Sequence, residues 1–314
     1  MRFWLIWLCA VATSAPVSAQ LSHSPGVFID APGGKIWRET EGRGPPLVLI
    51  AGGPGLSHAY LHNWFSPLAD SNRLVYFDAI GTGRSSRHAF PYTFAEAIEG
   101  IEALRRSLGI RTVNLLGHSY GGTVALGYAK KYPKRVGKLI IANMVASGAE
   151  QQLIQDALNE TFQRHSPEAW AKLSALRAAG VKSSSPAHQE AYQPPARMLN
   201  FYNPDNAARM PRGEPNFYNS KLWYSMAGED ADFIMSGELR DFDARRAARS
   251  LGMPILVLAG RYDRLVYPEL MSRWRSYAPK ANVHFLEKSG HFPFLEQPVE
   301  TAAVIRTFLA VTRR

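Results

Sequence analysis

The chain has 314 residues, 46% of them apolar, so it can bury a sizeable core, either as one large α/β domain with an insertion or as two domains. Its formal charge of +10 comes from lysines and arginines scattered along the sequence, with no aromatic-interleaved basic stripe. That pattern reads as a solvated surface and argues against a nucleic-acid partner.

The first stretch reads as a targeting segment. Arg2 supplies a short positive region, and FWLIWLCAVA (3–12) is apolar but too short to span a bilayer comfortably. Val17-Ser18-Ala19 then places small residues before Gln20. This is the layout of a secretory signal peptide over residues 1–19. It predicts an exported chain, periplasmic or extracellular, with no stable membrane association after cleavage; the rival reading is an uncleaved anchor. Cys9 is the only cysteine, so a mature chain beginning at Gln20 cannot depend on disulfides.

Residues 27–30 and 35–40 read as a hairpin around Pro32-Gly33-Gly34. PLVLIA (46–51) has no alternation, fits a strand buried on both faces, and ends in GGPG. Ser57 is placed to cap a helix running to about Leu68. RLVYFD (73–78) is a further strand and leads into AIGTGRSS; residues 94–108 form an amphipathic helical pattern. Residues 111–116 read as a strand, followed by GHSYGG and then by Val124, Ala125, Tyr128 and Ala129 at helical spacing up to Pro133. Another strand is predicted at 138–143.

From about 145 to 249 the alternation stops, and the stretch reads as helix-rich, polar and aromatic, with Trp170, Tyr192, Trp223 and Tyr224 among its rings. Strands resume at PILVLAG (254–260) and 282–287, and a last helix covers about 298–311. No repeat or low-complexity tract interrupts the chain. Alternating strands and helices imply a mostly parallel sheet covered on both faces, with sites at the carboxyl ends of the strands. The predicted organisation is a core of residues 20–144 and 250–314, with 145–249 as a helical cap over the loops.

Gly117-His118-Ser119-Tyr120-Gly121 fits G-x-S-x-G between a strand and a helix, where a serine occupies a sharp turn and side chains at the glycines would clash. A serine hydroxyl is a weak nucleophile that needs a base within reach, and the base needs an orienting acid. Asp263 follows one strand and His291 the next. The chain order Ser119, Asp263, His291 is that of an α/β hydrolase. The strand after the serine helix ends in Asn143 and not in a carboxylate, which leaves Asp263 as the acid. Donors for a developing oxyanion are expected from the backbone N–H groups of Tyr120 and Gly53.

AGGPG (51–55), FDAIGTGRSS (77–86), GHSYGG (117–122), GRYD (260–263) and SGHF (289–292) resemble the prolyl aminopeptidase (proline iminopeptidase) branch of the α/β-hydrolase superfamily, over about residues 26–312. The resemblance implies serine peptidase chemistry that releases an N-terminal residue, often proline, from short peptides. It carries Ser119, Asp263 and His291 into a triad, and Gly53 and Tyr120 into an oxyanion hole. Two departures stand out. Ala51 replaces the histidine usual before GGPG. Arg264 follows Asp263 where some members carry a glutamate, and a cation there would disfavour a substrate ammonium. Glu214 and Asp232 resemble acids that hold the substrate amine in the family; Glu229 and Asp230 are further candidates.

His58 and His62, four apart on the predicted helix, have a spacing that metal ligands use, but no H-E-x-x-H or third ligand accompanies them. No metal or cofactor is therefore expected. The predicted activity is hydrolysis of small peptides or amino-acid amides. The alternatives are an esterase or lactonase for uncharged acyl substrates, and a noncatalytic ligand-binding protein on the same scaffold, which a serine-directed fluorophosphonate probe distinguishes from an enzyme.

Overall fold

The apolar runs without alternation become the inner strands of one eight-stranded sheet. The structure is a computed structural model and describes residues 25–88, 91–211 and 217–311; the predicted signal segment 1–19 lies outside the described residues. β1 (Val27–Ala31) and β2 (Gly34–Glu41) form the expected antiparallel hairpin, and β2 also pairs antiparallel with β4 (Arg73–Phe77). The remaining strands are parallel: β3 (Pro46–Ile50), β5 (Val113–His118), β6 (Val136–Ala142), β7 (Ile255–Gly260) and β8 (Asn282–Leu286). The order is β1-β2-β4-β3-β5-β6-β7-β8. From β3 the chain goes to β4 on one side, then crosses back to β5 on the other. The carboxyl ends of β3 and β5 therefore flank the switch point where open α/β sheets form crevices.

Successive side chains of a strand face opposite sides of the sheet, and the sheet separates two cores on that basis. Leu47, Leu49, Leu74, Tyr76, Leu256 and Leu258 enter one; Val48, Ile50, Val75, Phe77, Val257 and Ala259 enter the other. The second core is closed by α1 (Phe94–Ser107) and α2 (Tyr120–Lys131), through residues such as Ile101, Leu104, Val124 and Tyr128. Thr93 starts α1 as its N-cap, its hydroxyl accepting from the Glu96 N–H at 3.1 Å.

The stretch 57–68 departs from the expected helix. Ser57 does accept from the Ala59 N–H, but the chain forms one 3₁₀ turn at His58–Leu61 and another at Ser66–Leu68. Asn63 between them has φ 68°, which breaks helical continuation. Tertiary bonds override the local preference: the backbone N–H and the ring of His58 are both held by the Asp78 carboxylate, at 3.0 and 2.7 Å.

Between β6 and β7 the chain leaves the sheet for α3 (Gly148–His165), α4 (Pro167–Ala178), α5 (Pro186–Met198), α6 (Ser220–Ala227) and α7 (Arg245–Ser250). The first three of these helices enclose a small core of their own, including Leu158, Phe162, Leu173 and Tyr192. α8 (Pro268–Ser272) and α9 (Trp274–Tyr277) follow β7; α10 (Pro293–Glu296) and α11 (Pro298–Ala310) follow β8. Among the described residues, no helix is long and apolar enough to cross a membrane.

Candidate active site

Ser119 joins β5 to α2 with φ 54° and ψ −127°. A positive φ on a residue with a side chain costs on the order of 1–3 kcal/mol and persists only where the surroundings enforce it. Here the N–H of Ser119 donates to the Ala142 carbonyl at 2.8 Å, and the N–H of Gly122 donates to the Ser119 carbonyl at 2.7 Å. The flanking glycines are a spatial necessity. A Cβ on Gly117 would lie 2.2 Å from the Gly121 carbonyl oxygen, and one on Gly121 would lie 2.2 Å from that of Ile50. The turn places Ser119 on the wall of a cleft of about 760 Å³.

His291 lines the same cleft, and its Nδ1 lies 2.8 Å from Asp263 Oδ2. The carboxylate only accepts, so Nδ1 carries the hydrogen and Nε2 is left with the lone pair that a general base requires. Asp263 is itself fixed. Its Oδ1 accepts from the N–H groups of Leu265 and Val266 at 2.8 and 2.9 Å, and its Oδ2 accepts from Asn143 Nδ2 at 2.7 Å. In the sequence Asn143 is legible only as a missing acid. The sheet makes it a donor to Asp263, because β6 lies beside β7.

A hydrogen-bond chain ties three loops together behind these residues. His118 Nε2 lies 2.7 Å from the His291 carbonyl oxygen, which can only accept, so Nε2 bears the hydrogen. His118 Nδ1 must then accept, and it does so from Tyr60 Oη at 2.9 Å; Tyr60 Oη accepts in turn from the Gly52 N–H at 2.7 Å. Burial, and the nearby charge of His291, push His118 well below the ordinary imidazole range, which keeps it neutral as the chain requires. Burial also pushes the Tyr60 phenol above its usual value.

The same chain draws the GGPG loop close to the serine: a Cβ on Gly52 would lie 3.1 Å from Ser119 Cβ. With the Gly52 N–H taken by Tyr60, Gly53 (φ 115°) is the next backbone donor, and it borders the cleft beside Ser119. Tyr120 begins α2, where a helix leaves its first N–H groups without intrahelical partners.

Helices of the insertion and residues within 200–211 and 217–223 supply the opposite wall, with Ile154, Leu158, Tyr192, Phe217 and Trp223. Asp232 lies on this wall and is buried. Its Oδ2 is 3.1 Å from His188 Nε2 and accepts from Gln189 Nε2 and Tyr224 Oη, both at 3.3 Å. Burial and the Asp232 charge together push the Tyr192 and Tyr224 phenols upward, so both keep their hydrogens, and that of Tyr224 is given to Asp232. Glu214 lies outside the described residues. The structure does not bring Arg264 to the cleft. Leu265 and Val266 turn inward to bind Asp263, and Arg264 is left exposed, where water screens its charge. Asp230 is engaged elsewhere, pairing with Arg177 at 2.7 Å and accepting from Ser183, and Glu229 is exposed.

A second cluster of titratable groups sits beyond the GGPG loop. Glu39 Oε1 on β2 lies 3.1 Å from His58 Nε2 and 2.6 Å from His62 Nε2. Hydrogen bonds from the two histidines hold Glu39 well below the usual carboxylate range. Burial by itself lowers His58, but its bonds to Asp78 and Glu39 outweigh this and raise it to about 9.

The alpha/beta hydrolase fold family matches residues 45–298. The proline iminopeptidase of Heyndrickxia coagulans is 26% identical over 290 residues, covering 90% of this chain and 97% of that one. Among solved structures, the proline iminopeptidase of Mycobacterium smegmatis superposes with a TM-score of 0.71 at 23% identity, over 91% of this chain and 97% of the other. A thermophilic esterase from Thermogutta terrifontis superposes with a TM-score of 0.62 at 23% identity, over 91% and 98%. These two structural likenesses concern the fold alone.

Proposed function

Because the chain belongs to the alpha/beta hydrolase fold family, we propose that it is a serine hydrolase that releases N-terminal residues, proline among them, from small peptides or amides. Ser119 Oγ attacks the scissile carbonyl while His291 Nε2 takes its proton. The N–H groups of Gly53 and Tyr120 stabilise the oxyanion, and Asp263 holds the imidazolium that forms. His291 then gives the proton to the departing amine, leaving an acyl-enzyme. A water, deprotonated by His291, adds to the acyl carbonyl; collapse frees the acid and returns the proton to Ser119.

The observation that carries the aminopeptidase reading is Asp232. Among the described residues it is the one carboxylate lining the cleft of Ser119 and His291. A free substrate amine is cationic and needs such a partner in a largely apolar site. A second reading, an esterase or lactonase for uncharged acyl groups, is favoured by the three contacts that Asp232 Oδ2 already makes and by the apolar remainder of the wall.

A hydrolysis panel of prolyl, alanyl and N-blocked amides beside short-chain esters separates the two. Ser119→Ala should remove all turnover, with a loss on the order of a millionfold in kcat by analogy with other serine triads. Asp232→Asn should impair free-amine amides roughly ten- to a hundredfold in kcat/KM, from a charge-assisted contact of about 1.5–3 kcal/mol, and leave uncharged esters nearly unchanged. An unchanged ratio of free-amine to N-blocked hydrolysis in Asp232→Asn would favour the esterase reading.

A further inference from the structure

We propose that Glu39, His58 and His62 form a binding site for one divalent transition-metal ion of the zinc type, outside the Ser119 cleft and independent of its chemistry. The ligand atoms come from β2 and from the turn after GGPG, and all three lie within 4.8 Å of one another. Both imidazole Nε2 atoms converge on the same carboxylate oxygen, Glu39 Oε1.

The hydrogen positions make this convergence informative. His58 Nδ1 is 2.7 Å from Asp78 Oδ1, which only accepts, so Nδ1 carries a hydrogen. In a neutral ring, Nε2 would then turn its lone pair toward Glu39 Oε1 at 3.1 Å. Two lone pairs facing at that distance require a cation between them. A proton on Nε2 fills this role in the metal-free chain. A divalent ion fills it more completely, since Glu39 brings a full negative charge to this point and Asp78 adds a second at the far nitrogen of the same ring.

The surroundings are those of a built site. A carboxylate on the far nitrogen of a ligating histidine fixes its tautomer and orientation. Asp78 does this for His58 while being held by the N–H groups of His58 and Arg84. His62 is stacked on Tyr76, with ring centroids 3.9 Å apart and planes at 18°. A tetrahedral ion with bonds of about 2.0–2.2 Å keeps its ligands roughly 3.3–3.5 Å apart. The His58–Glu39 separation is close to that, the His62–Glu39 separation must open by roughly 1 Å or less, and the two histidine ligand atoms lie within 4.8 Å of each other. The side chains of Glu39 and His62 are 17% and 20% exposed, so an ion can reach them from solvent, which also supplies water as a further ligand. Two imidazoles and one carboxylate suit zinc, cobalt, nickel or copper better than magnesium or calcium. The bound ion would pin the turn that follows the GGPG loop.

The test uses the full chain, free of any histidine tag and stripped with chelator, titrated with Zn²⁺ by calorimetry and with Co²⁺ by visible absorption. The expected result is one ion per chain, a raised Tm, and Co²⁺ absorption typical of a low-symmetry nitrogen–oxygen site. Glu39→Gln and His62→Gln, each checked for fold by circular dichroism, should weaken binding by more than about a hundredfold, beyond what loss of an outer-shell partner causes. His62→Gln carries the test alone should Glu39→Gln not fold. Ser119→Ala should bind the ion as the wild type does. Absence of binding at micromolar metal, or affinity and stoichiometry unchanged in the folded variants, would overturn the site in favour of a proton-bridged cluster.

Discussion

Tyr60 and His118 act at the scale of single atoms. The Tyr60 hydroxyl accepts from Gly52 and donates to His118, and His118 in turn holds the His291 carbonyl. Tyr60→Phe removes one oxygen and leaves two buried polar groups, the Gly52 N–H and His118 Nδ1, without partners. Such unsatisfied groups cost about 1–3 kcal/mol of stability each. Positioning of the GGPG loop and of His291 should suffer together, so under the proposed function kcat should fall by roughly tenfold or more while KM moves little. Urea unfolding beside steady-state kinetics on the preferred substrate of the panel checks this. A variant that loses stability but keeps kcat would show that the chain of bonds does not position the reacting groups.

At the scale of elements, α1 and α2 are joined by a buried carboxylate. Glu102 on α1 binds Arg105 and Arg106 of its own helix, at 2.8 Å each, and accepts from Tyr128 Oη of α2 at 2.9 Å. Arg135, just beyond α2, approaches it as well. The hydrogen bond from Arg105, joined by those from Arg106, Arg135 and Tyr128 and opposed by burial, holds the Glu102 carboxyl well below its ordinary range. A carboxylate with a depressed folded value stabilises the fold fully above its unfolded value of about 4.3, and that contribution drains away as pH falls through the interval below. Glu102→Gln should therefore cost about 1–3 kcal/mol at neutral pH, and the gap from wild type should narrow as pH is lowered beneath about 4. Urea unfolding of both proteins at neutral and acidic pH measures this. A gap that stays constant would mean that Glu102 acts by shape and not by charge.

For the whole molecule, the cleft belongs neither to the sheet nor to the insertion alone. The sheet loops contribute Gly53, Ser119 and His291, and the stretch between β6 and β7 contributes Leu158, Trp223 and Asp232. Within that stretch α3, α4 and α5 enclose a separate core around Phe162 and Tyr192, whereas Leu222, Met226, Met235 and Ala248 pack into the core of the sheet. We also propose that the molecule is exported, on the strength of Arg2, the apolar run at 3–12 and Val17-Ser18-Ala19. Intact-mass analysis of protein recovered from the cell envelope should then find a chain beginning at Gln20, with or without cyclisation of that residue. A full-length mass in the membrane fraction would favour an anchor.

The succession of strands along the chain, the strand–turn–helix setting of Ser119 and the placement of Asp263 and His291 each after its own strand are legible in the sequence. These features are local. An apolar run without alternation needs two cores, and a serine between two glycines answers backbone clashes within a few residues. The other features follow from which elements pack side by side. Asn143 meets Asp263 across 120 residues because β6 and β7 are neighbours in the sheet. Arg264, adjacent to Asp263 in sequence, is turned out into solvent, whereas Asp232 is folded into the cleft. The pair His58 and His62 lacks a third ligand when read along the chain, and acquires Glu39 only when β2 pairs with β4. The helix expected through Leu68 gave way to 3₁₀ turns, because Asp78 captures His58 from another strand end. Steric demands and periodicity act over a few residues and can be read in order, but the partners of a polar group are set by which elements lie side by side in the folded molecule.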